Sequence, residues 1–494
     1  MSRSRVDAGA PTGGQFKTEG RIEPDVALSG VRRVPATVPI TAAAARVLGA
    51  IEDAGGHGYL VGGCVRDALL RPGSIPKDVD IEAYGLEPTH LAEALSGVAR
   101  VDEVGKAFSV LTVRTGGEPF DVALPRTERR TGPGHRDFEV DVDPYADPSR
   151  ASARRDFTIN ALMFDPRTGE VVDHWGGLGD LEFGILRHTT PAFAEDPLRV
   201  LRGARFAARF GFTMDPATVE LARALAPEFA SLSTERVWGE WSSMAATADH
   251  PSAWLDVLND TGWIEHFPEV ADLRGVAQDP RWHPEGDVFE HTRQAAEAGA
   301  RLAREAGLTG ADRQVIVLAS MLHDVGKVTH TQHRDDGTIA SHGHDEAGRE
   351  VAKTFLARVG APRSVVDRVL PLVREHMAST TTKEPSLTAV RRLARRLEPA
   401  TMTEWALVVG ADRGGRGDAS EPGNGELWLA LAHTAGTTES PRRAILTGAH
   451  LIAAGMTPGP AFKTILADAI AAQDTGDFDD VDGAKAWLAA ALSN

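Results

Sequence analysis

The fold is decided by Tyr59-Leu-Val-Gly-Gly-Cys-Val-Arg-Asp67, which is followed at positions 77–81 by Lys-Asp-Val-Asp-Ile. The apolar start predicts a strand, the paired glycines predict a tight turn, and the residues after them predict a helix. Glycines at such a turn let backbone N–H groups approach a phosphate closely, and an arginine adds a charge-assisted contact. We therefore regard Gly62, Gly63 and Arg66 as candidate nucleotide-binding residues.

Two carboxylates follow this turn. In a strand, Asp78 and Asp80 point to the same face, because side chains alternate along the chain. Paired oxygen ligands suit Mg²⁺ that carries a nucleotide triphosphate. Asp121, in the strand-like segment 119–124, is the candidate third carboxylate that two-ion phosphoryl transfer requires. An isolated Asp-x-Asp is more often a solvated strand edge, but the upstream glycine turn reverses that preference.

The pattern around these motifs changes along the chain. Strand-like stretches occur at 98–104 and 108–114, whereas the sequence from about residue 195 is helical almost throughout. We expect an α+β protein: a small head with a mixed sheet and helices, then an all-helical neck and body, and a second helical domain. The expected boundaries are a disordered tail at 1–38, the head at 39–180, the neck at 181–275, the second domain at 276–415 and a C-terminal helical region at 425–494.

Two arginines and a glycine-rich turn follow the head strands. Arg155, in RRDFTINAL at 154–162, is a candidate contact for a triphosphate or a ribose, although tandem arginines are usually surface charge. The turn DHWGGLGDL at 173–181 is suited to a hinge, because its glycines permit sharp changes of direction.

A cationic helix begins after this turn. Asp196 and Arg199 are spaced i, i+3 and share a helix face, and Arg202 and Arg205 continue at the same spacing. An arginine and an aspartate on one face can read a base edge, since arginine donates and aspartate accepts from an exocyclic amine. The plainer alternative is an N-capping acid on an ordinary cationic helix.

A second group of polar residues lies farther along the chain. An apolar helix ends at His323-Asp324, and further histidines and an aspartate stand on either side. A single histidine is more often structural, but such a doublet with spaced partners favours a metal site. Imidazole and carboxylate ligands suit Mn, Ni, Fe or Mg. The candidates are His291, His323, Asp324 and Asp412, with His344 and His376 as further ligands.

Composition limits the classes of protein. Acidic residues outnumber basic ones by 70 to 53, giving a formal net charge of −17, which argues against non-specific coating of nucleic acid. The one cysteine, Cys64, excludes an internal disulfide and fits a reducing compartment. No apolar run approaches the roughly 20 residues of a membrane span, and no signal peptide is apparent. We therefore expect a cytoplasmic protein without a membrane partner. Its oligomeric state stays open.

Seven motifs occur in a family-specific order: GGCVRD, DVD, ALPRTERRTG, RRDFTINAL, GGLGDL, EDPLRVLRGARFAARFGF and ERVWGEW. The chain resembles the class II tRNA nucleotidyltransferases, or CCA-adding enzymes, and the related bacterial poly(A) polymerases. The resemblance covers about residues 58–415, and it implies a nucleotidyltransferase head that acts on the 3′ end of tRNA with CTP and ATP.

The resemblance also implies roles for particular residues. Asp78 and Asp80 would bind catalytic Mg²⁺, Gly63 and Arg66 would contact the nucleotide, and Arg155 would hold its sugar or triphosphate. Asp196 and Arg199 would form an amino-acid template for C and A, with Arg202 and Arg205 near the nucleotide. The helix at Glu235-Arg236 would support the template helix.

The second domain resembles the HD phosphohydrolases. By that resemblance His291, His323, Asp324 and Asp412 bind a metal, and His344 and His376 complete a second site. The family's HD domain hydrolyses phosphomonoesters and 2′,3′-cyclic phosphates. A retained helical bundle without turnover is the alternative for this domain.

Three alternatives remain for the whole chain at this stage. A poly(A) polymerase would keep every catalytic motif and differ in its use of CTP. A phosphohydrolase with an inactive head is disfavoured by the intact Asp78 and Asp80, and a tRNA-binding module is disfavoured by both ligand sets. Further RNA contacts are expected from Arg126, Arg129 and Arg130, and a basic face is expected at Arg391, Arg392, Arg395 and Arg396.

Overall fold

The structure, a computed structural model, describes residues 31–76, 78–102, 110–130, 138–416 and 424–493. The chain divides into two compact units. The first comprises the residues up to Glu128 together with Val140–Leu181, and the second comprises Arg129–Glu139 and Glu182–Asn494. Most of the expected tail, residues 1–30, lies outside the described residues.

The first unit is built on a mixed eight-stranded sheet. Its strands are β1 (Arg32–Pro35), β2 (His57–Val61), β3 (Asp80–Tyr84), β4 (Arg100–Asp102), β5 (Val110–Thr115), β6 (Glu118–Ala123), β9 (Met163–Asp165) and β10 (Glu170–Asp173), while β7 (Arg126–Arg130) and β8 (Phe138–Val142) pair separately. Their spatial order is β1, β10, β9, β2, β3, β6, β5 and β4, and all neighbours are antiparallel except the parallel pair β3 and β6.

Five helices accompany this sheet: α1 (Ala42–Asp53), α2 (Gly63–Leu70), α3 (Pro88–Ser96), α4 (Pro148–Ser152) and α5 (Gly177–Phe183). Thr41 caps α1 by accepting a hydrogen bond from the Ala44 backbone N–H at 3.1 Å. The apolar face of α1 is buried, with Val47 and Ile51 fully enclosed. It joins the same core as Ile81 and Val122 from the central strands, which fixes the strands that carry the carboxylates.

Two local expectations differ from the structure. Residues 32–35, assigned to the tail, form β1 on the edge of the sheet beside β10. Arg-Arg-Val-Pro has no apolar alternation of its own, and the pairing comes from a strand far along the chain. Likewise β3 begins at Asp80, so Asp78 lies in the bend before the strand rather than within it.

The second unit is mainly helical. Its helices up to residue 414 are α6 (Leu198–Phe210), α7 (Pro216–Ala224), α8 (Thr234–Thr247), α9 (Pro251–Thr261), α10 (Pro268–Ala271), α11 (Val288–Glu305), α12 (Gly310–Leu322), α13 (Lys327–His330), α14 (His344–Arg358), α15 (Arg363–Glu375), α16 (Ala378–Thr381), α17 (Leu387–Leu397) and α18 (Met402–Gly414). Two short ribbons interrupt them, β11 (Ile185–Leu186) with β12 (Thr213–Met214) and β13 (Gln332–His333) with β14 (Ile339–Ala340).

The last helices are α19 (Asn424–Ala435), α20 (Gly448–Ala453), α21 (Pro460–Thr475) and α22 (Val481–Ser493). The final three share a small core that includes Leu451, Phe478 and Leu488. Arg395 of α17 joins this region to the preceding helices, since its Nε and Nη2 donate to the Asp474 carboxylate at 2.8 and 2.9 Å. Among the described residues, no helix combines the length and the apolar character that crossing a membrane requires.

Candidate catalytic and metal centres

The glycine turn of the head has a backbone that requires glycine. Gly62 joins β2 to α2 at φ +75°, a conformation that residues with a β-carbon rarely adopt. A β-carbon at Gly62 would lie 2.8 Å from Nη1 of Arg155 and 3.6 Å from Oδ2 of Asp80. The structure thus brings Gly62, Asp80 and Arg155 together at the end of β2.

The carboxylates lie where two central strands run side by side. Asp80 and Asp121 are register partners in the parallel pair β3 and β6. The Thr112 hydroxyl donates to Oδ1 of Asp121 at 2.8 Å, which fixes that side chain. Although Asp80 is exposed, desolvation raises its pKa, the charges of Asp121 and Asp78 add to the rise, and Arg155 opposes it. Concentrated negative charge on oxygen ligands fits a divalent cation.

Arg66 lies on α2, the helix that follows this turn. It is only 4% exposed, and its guanidinium donates to Oδ1 of Asn160 at 2.5 Å and to Oδ1 of Asp67 at 2.6 Å. Asn160 in turn donates to Oδ1 of Asp156 at 2.8 Å. Sequence reasoning missed Asn160 and Asp156 as parts of this site, because their only signal was membership of RRDFTINAL. Gly63 begins α2 close to Arg66.

The cationic helix α6 belongs to the second unit. Asp196 precedes it, and its Oδ1 accepts from the Leu198 N–H at 3.1 Å while its Oδ2 accepts from Nη2 of Arg236 at 2.7 Å. Nη1 of Arg199 donates to the Ala192 carbonyl at 2.8 Å. Asp196 and Arg199 are both half-buried, so their polar atoms are held in place while part of each remains accessible. Arg236 lies on α8, the helix expected to support α6.

The next two arginines of α6 pack on an aromatic ring. The Cζ atom of Arg205 lies 4.5 Å from the centroid of the Phe206 ring, and that of Arg202 lies 5.6 Å from it. Nε of Arg205 also donates to Oε2 of Glu240 on α8 at 2.5 Å. The sequence pattern missed Glu240, because its spacing from Arg205 is set only by the packing of α6 on α8.

Six side chains converge in the second unit between α11, α12, α14, α15 and α18. Nε2 of His291 lies 3.2 Å from Nε2 of His323 and 3.1 Å from Oδ1 of Asp412. Nε2 of His344 lies 3.2 Å from Nε2 of His376. All six candidate ligands of this domain are therefore in one buried cluster, which consists of His291, His323, Asp324, His344, His376 and Asp412.

Asp324 connects the two halves of this cluster. Its Oδ2 lies 3.2 Å from Nε2 of His323, and its Oδ1 lies 3.2 Å from Nε2 of His344. The cluster thus contains two ligand groups that share the Asp324 carboxylate. One group adds His291, His323 and Asp412, and the other adds His344 and His376. A shared carboxylate between two ligand groups fits a pair of cations.

The outward ring nitrogens of the four histidines are all paired. Nδ1 of His323, His344 and His376 donates to the carbonyls of Ser320, Ser341 and Val373 at 2.8, 2.6 and 2.6 Å respectively. Nδ1 of His291 donates to Oε1 of Glu285 at 2.7 Å. Such bonds fix the tautomer and leave each Nε2 free to bind a metal, as metal-binding histidines require.

Electrostatics in the cluster favour the metal-binding forms of Asp324 and His376, but not that of His291. Burial opposes ionisation of Asp324, but His323 and Lys327 hold its pKa well below the usual range. Burial and the neighbouring His323 and His344 lower the pKa of His376 to about 3. Burial would also lower the pKa of His291, but hydrogen bonds to Asp412 and Glu285 raise it to about 9. A metal would therefore displace a proton from His291.

Charged neighbours of the cluster were missed by sequence reasoning. Nζ of Lys327 lies 2.7 Å from Oδ2 of Asp324 and donates to Oε1 of Gln278 at 2.7 Å. Nη2 of Arg416 lies 2.8 Å from both oxygens of Asp412. The spacing of Lys327, three residues after Asp324, could have indicated their ion pair. Glu285 lies in a loop, where no such spacing points to its partner.

The arginines expected to meet RNA have different positions. Arg126 is half-buried at the start of β7, and the side chains of Arg129 and Arg130 lie outside the described part of the chain. On α17, Arg391 and Arg395 bind Asp474 of α21, while Arg392 and Arg396 lie on another face and line a pocket. The basic stretch is therefore divided between two arginines that bind a neighbouring helix and two that line a pocket.

Known proteins resemble this chain over most of its length. Family models match residues 58–187 as the poly A polymerase head domain, 211–273 as the probable RNA and SrmB-binding site of polymerase A, and 288–409 as the HD domain. The multifunctional CCA protein of Nitrosococcus oceani is 35% identical over 408 residues, which cover 81% of this chain and 93% of the relative. The chain belongs to the multifunctional CCA protein family. This confirms the resemblance drawn from the seven motifs.

Other members and solved structures agree. The multifunctional CCA protein of Xanthomonas campestris pv. campestris is 38% identical over 368 residues, 72% of this chain and 85% of the relative. The Bacillus stearothermophilus CCA-adding enzyme in complex with CTP matches with a TM-score of 0.61 at 20% identity, over 92% of this chain and 98% of that one. The Thermotoga maritima CCA-adding enzyme complexed with tRNA matches with a TM-score of 0.55 at 20% identity, over 90% and 94%.

These likenesses confirm the fold class that the sequence predicted, a mixed-sheet head followed by helices with an HD domain. The head and HD families imply dependence on divalent metal ions. The carboxylates of the head and the histidine cluster have the oxygen and imidazole ligands that fit such ions.

Proposed function

We propose that this protein adds or repairs the 3′-terminal CCA of tRNA from CTP and ATP. The observation that carries the proposal is the meeting of Asp80, Asp121 and Arg155 over the Gly62 turn. Family membership supports it, since the curated relatives are named multifunctional CCA proteins. Two of the structures that share its fold are described as complexes of a CCA-adding enzyme with CTP and with ATP.

Each residue of the head has a part in this reaction. Asp78, Asp80 and Asp121 would hold Mg²⁺, which when bound activates the tRNA hydroxyl and neutralises the leaving pyrophosphate. Arg155 binds the triphosphate, and the N–H groups at Gly62 and Gly63 approach it because no β-carbon intervenes. Arg66 holds the turn in place through Asn160. Catalysis then comes from positioning and electrostatics.

Nucleotide choice belongs to Asp196 and Arg199. Cytosine and adenine both present an exocyclic amine beside a ring nitrogen that accepts a hydrogen bond. The Asp196 carboxylate accepts from the amine and the Arg199 guanidinium donates to the ring nitrogen, which selects these two bases. Arg236 orients Asp196, and Arg202 and Arg205 follow on the same helix.

We further propose that the HD domain is a metal-dependent phosphohydrolase. The paired ligand groups that share Asp324 suit Mn, Ni, Fe or Mg, which when bound generates a hydroxide nucleophile. The substrates would be phosphomonoesters or 2′,3′-cyclic phosphates at RNA ends. An enzyme with these activities acts where tRNA is processed, and we propose the cytoplasm as its location.

One experiment tests both activities. The wild type, Asp80→Asn and His323→Ala are each given tRNA that lacks its last three nucleotides, with CTP, ATP and Mg²⁺, and separately a 2′,3′-cyclic nucleotide with Mn²⁺ or Ni²⁺. We expect Asp80→Asn to lose nucleotide addition by at least about a hundredfold, because a metal ligand is neutralised. His323→Ala should lose hydrolysis instead.

Two results would contradict these proposals. Nucleotide addition by Asp80→Asn at the wild-type rate would remove the head's role. Hydrolysis by His323→Ala at the wild-type rate would leave the histidine cluster a structural one.

A further inference from the structure

The basic stretch of α17 has an open face that the proposed activities do not use. Arg392 and Arg396 line a pocket of about 320 Å³ in the second unit, together with Arg374 of α15. Arg391 and Arg395 turn away from it toward Asp474. Three arginines from two helices thus line one concave surface, and guanidinium groups are the side-chain donors best matched to a phosphate.

The pocket shares its wall with the histidine cluster. Glu375 and Met377 both line it, and His376 between them belongs to the cluster. Asp345, which follows the ligand His344, lines it as well. Since consecutive Cα atoms are about 3.8 Å apart, the backbone of Glu375 and Met377 at the pocket is about that far from the backbone of His376 in the cluster. The pocket is therefore placed to hold a neighbouring part of whatever reacts there.

Charges in the pocket leave one arginine available. Nε of Arg396 donates to Oε1 of Glu375 at 2.9 Å, and Nε of Arg374 donates to Oε2 of Glu346 at 2.5 Å. Arg392 is exposed, and within the described residues it has no ion pair or hydrogen bond to a side chain. Arg374 and Arg396 are thus paired with carboxylates, and Arg392 carries the positive charge that is available to a phosphate in this pocket.

We propose that this pocket binds a backbone phosphate of an RNA chain whose 3′-terminal phosphate is held at the histidine cluster. The inference rests on the proposed phosphohydrolase activity and names its substrate class. A mononucleotide has one phosphate, which the metal site takes, so the pocket stays empty with it. An oligonucleotide supplies a second phosphate, and the arginines bind it. The HD domain would then prefer RNA ends to free cyclic nucleotides.

Hydrolysis kinetics of the full-length protein test this preference. The substrates are 2′,3′-cyclic AMP and a CCA trinucleotide that ends in a 2′,3′-cyclic phosphate. For Arg392→Gln we expect the ratio of kcat/KM for the trinucleotide to that for cyclic AMP to fall about tenfold, through KM, since one charge-assisted phosphate contact is lost. Arg392→Lys should recover part of it. The matched control is Arg363→Gln, an exposed arginine of α15 outside the pocket.

The contrary results are distinct. An unchanged ratio in Arg392→Gln, or the same change in Arg363→Gln, overturns the proposal that the pocket binds a phosphate. If the wild type hydrolyses neither substrate, the phosphohydrolase proposal fails, and equilibrium binding of the labelled trinucleotide decides about the pocket alone. Weaker binding by Arg392→Gln than by Arg363→Gln supports the phosphate site, and equal binding overturns it.

Discussion

Glu285 is the residue whose importance only the structure reveals. It lies in the loop before α11, and its Oε1 accepts from Nδ1 of His291 at 2.7 Å and lies 2.9 Å from Nδ1 of His283. A carboxylate in this position holds the imidazole ring and raises its basicity as a metal ligand. Nothing in the sequence indicates it, because the loop residue and the helix residue meet only through the folded backbone.

The substitution Glu285→Gln should therefore weaken metal binding by the HD cluster about 10–100-fold. Competition with a chelator for Ni²⁺ measures this affinity, since Ni²⁺ suits imidazole ligands. Glu305→Gln, at the exposed end of α11, is the matched control. Equal Ni²⁺ affinity in Glu285→Gln and Glu305→Gln would show that Glu285 does not orient His291.

Candidate metal ligands were more predictable than the side chains that hold them. Asp80 and His323 were singled out from the sequence because Asp-x-Asp after a glycine turn and a His-Asp doublet are local patterns. Asn160, which holds Arg66, and Glu240, which holds Arg205, depend on contacts between residues distant in sequence. No spacing rule reports such contacts.

Among the elements of the head, the start of α5 packs closely against the backbone at Thr158. Gly177 begins α5, and a β-carbon there would overlap the carbonyl oxygen of Thr158. Oδ1 of Asp173 also accepts from the Gly177 N–H at 3.0 Å, and the Thr158 hydroxyl donates to Asp180 at 2.6 Å. The turn expected to be a hinge is thus firmly tied to the head, and the division of the chain falls after it, at Leu181.

We expect Gly177→Ala to lower the free energy of unfolding of the head by about 1–3 kcal/mol, because the new methyl group must displace the backbone at Thr158. Differential scanning calorimetry measures the change as a lower Tm. Gly179→Ala is a matched control in the same helix, where a β-carbon meets nothing within 4 Å. It should be neutral or stabilising by about 0.4–1 kcal/mol. Equal Tm values for the two variants would contradict the close approach.

Elements with strong periodicity were predictable and those without it were not. The helical pattern at 195–210 predicted α6, and the strand-like stretch at 119–124 predicted β6. β1 was missed because its backbone pairs with β10, far along the chain. The strand expected at Asp78 begins two residues later, at Asp80.

At the scale of the whole molecule, the net charge of −17 and an RNA substrate are compatible. Positive charge is local: Arg155 lies over the glycine turn, Arg199 and its neighbours lie on α6, and Arg392 lies at the pocket beside the histidine cluster. Such a distribution favours a structured RNA end over general RNA binding, with an affinity that falls as salt rises. The two centres belong to different compact units, which agrees with two separable chemistries.

Which nucleotide the protein adds to each tRNA end distinguishes CCA addition from poly(A) synthesis. Three tRNAs are prepared that end before the CCA, after its first C and after its second C, and each is incubated with ATP alone and with CTP alone. We expect one A from ATP only on the end with two C residues, and C from CTP only on the two shorter ends. Addition of several A residues to every end would contradict it and establish poly(A) synthesis instead.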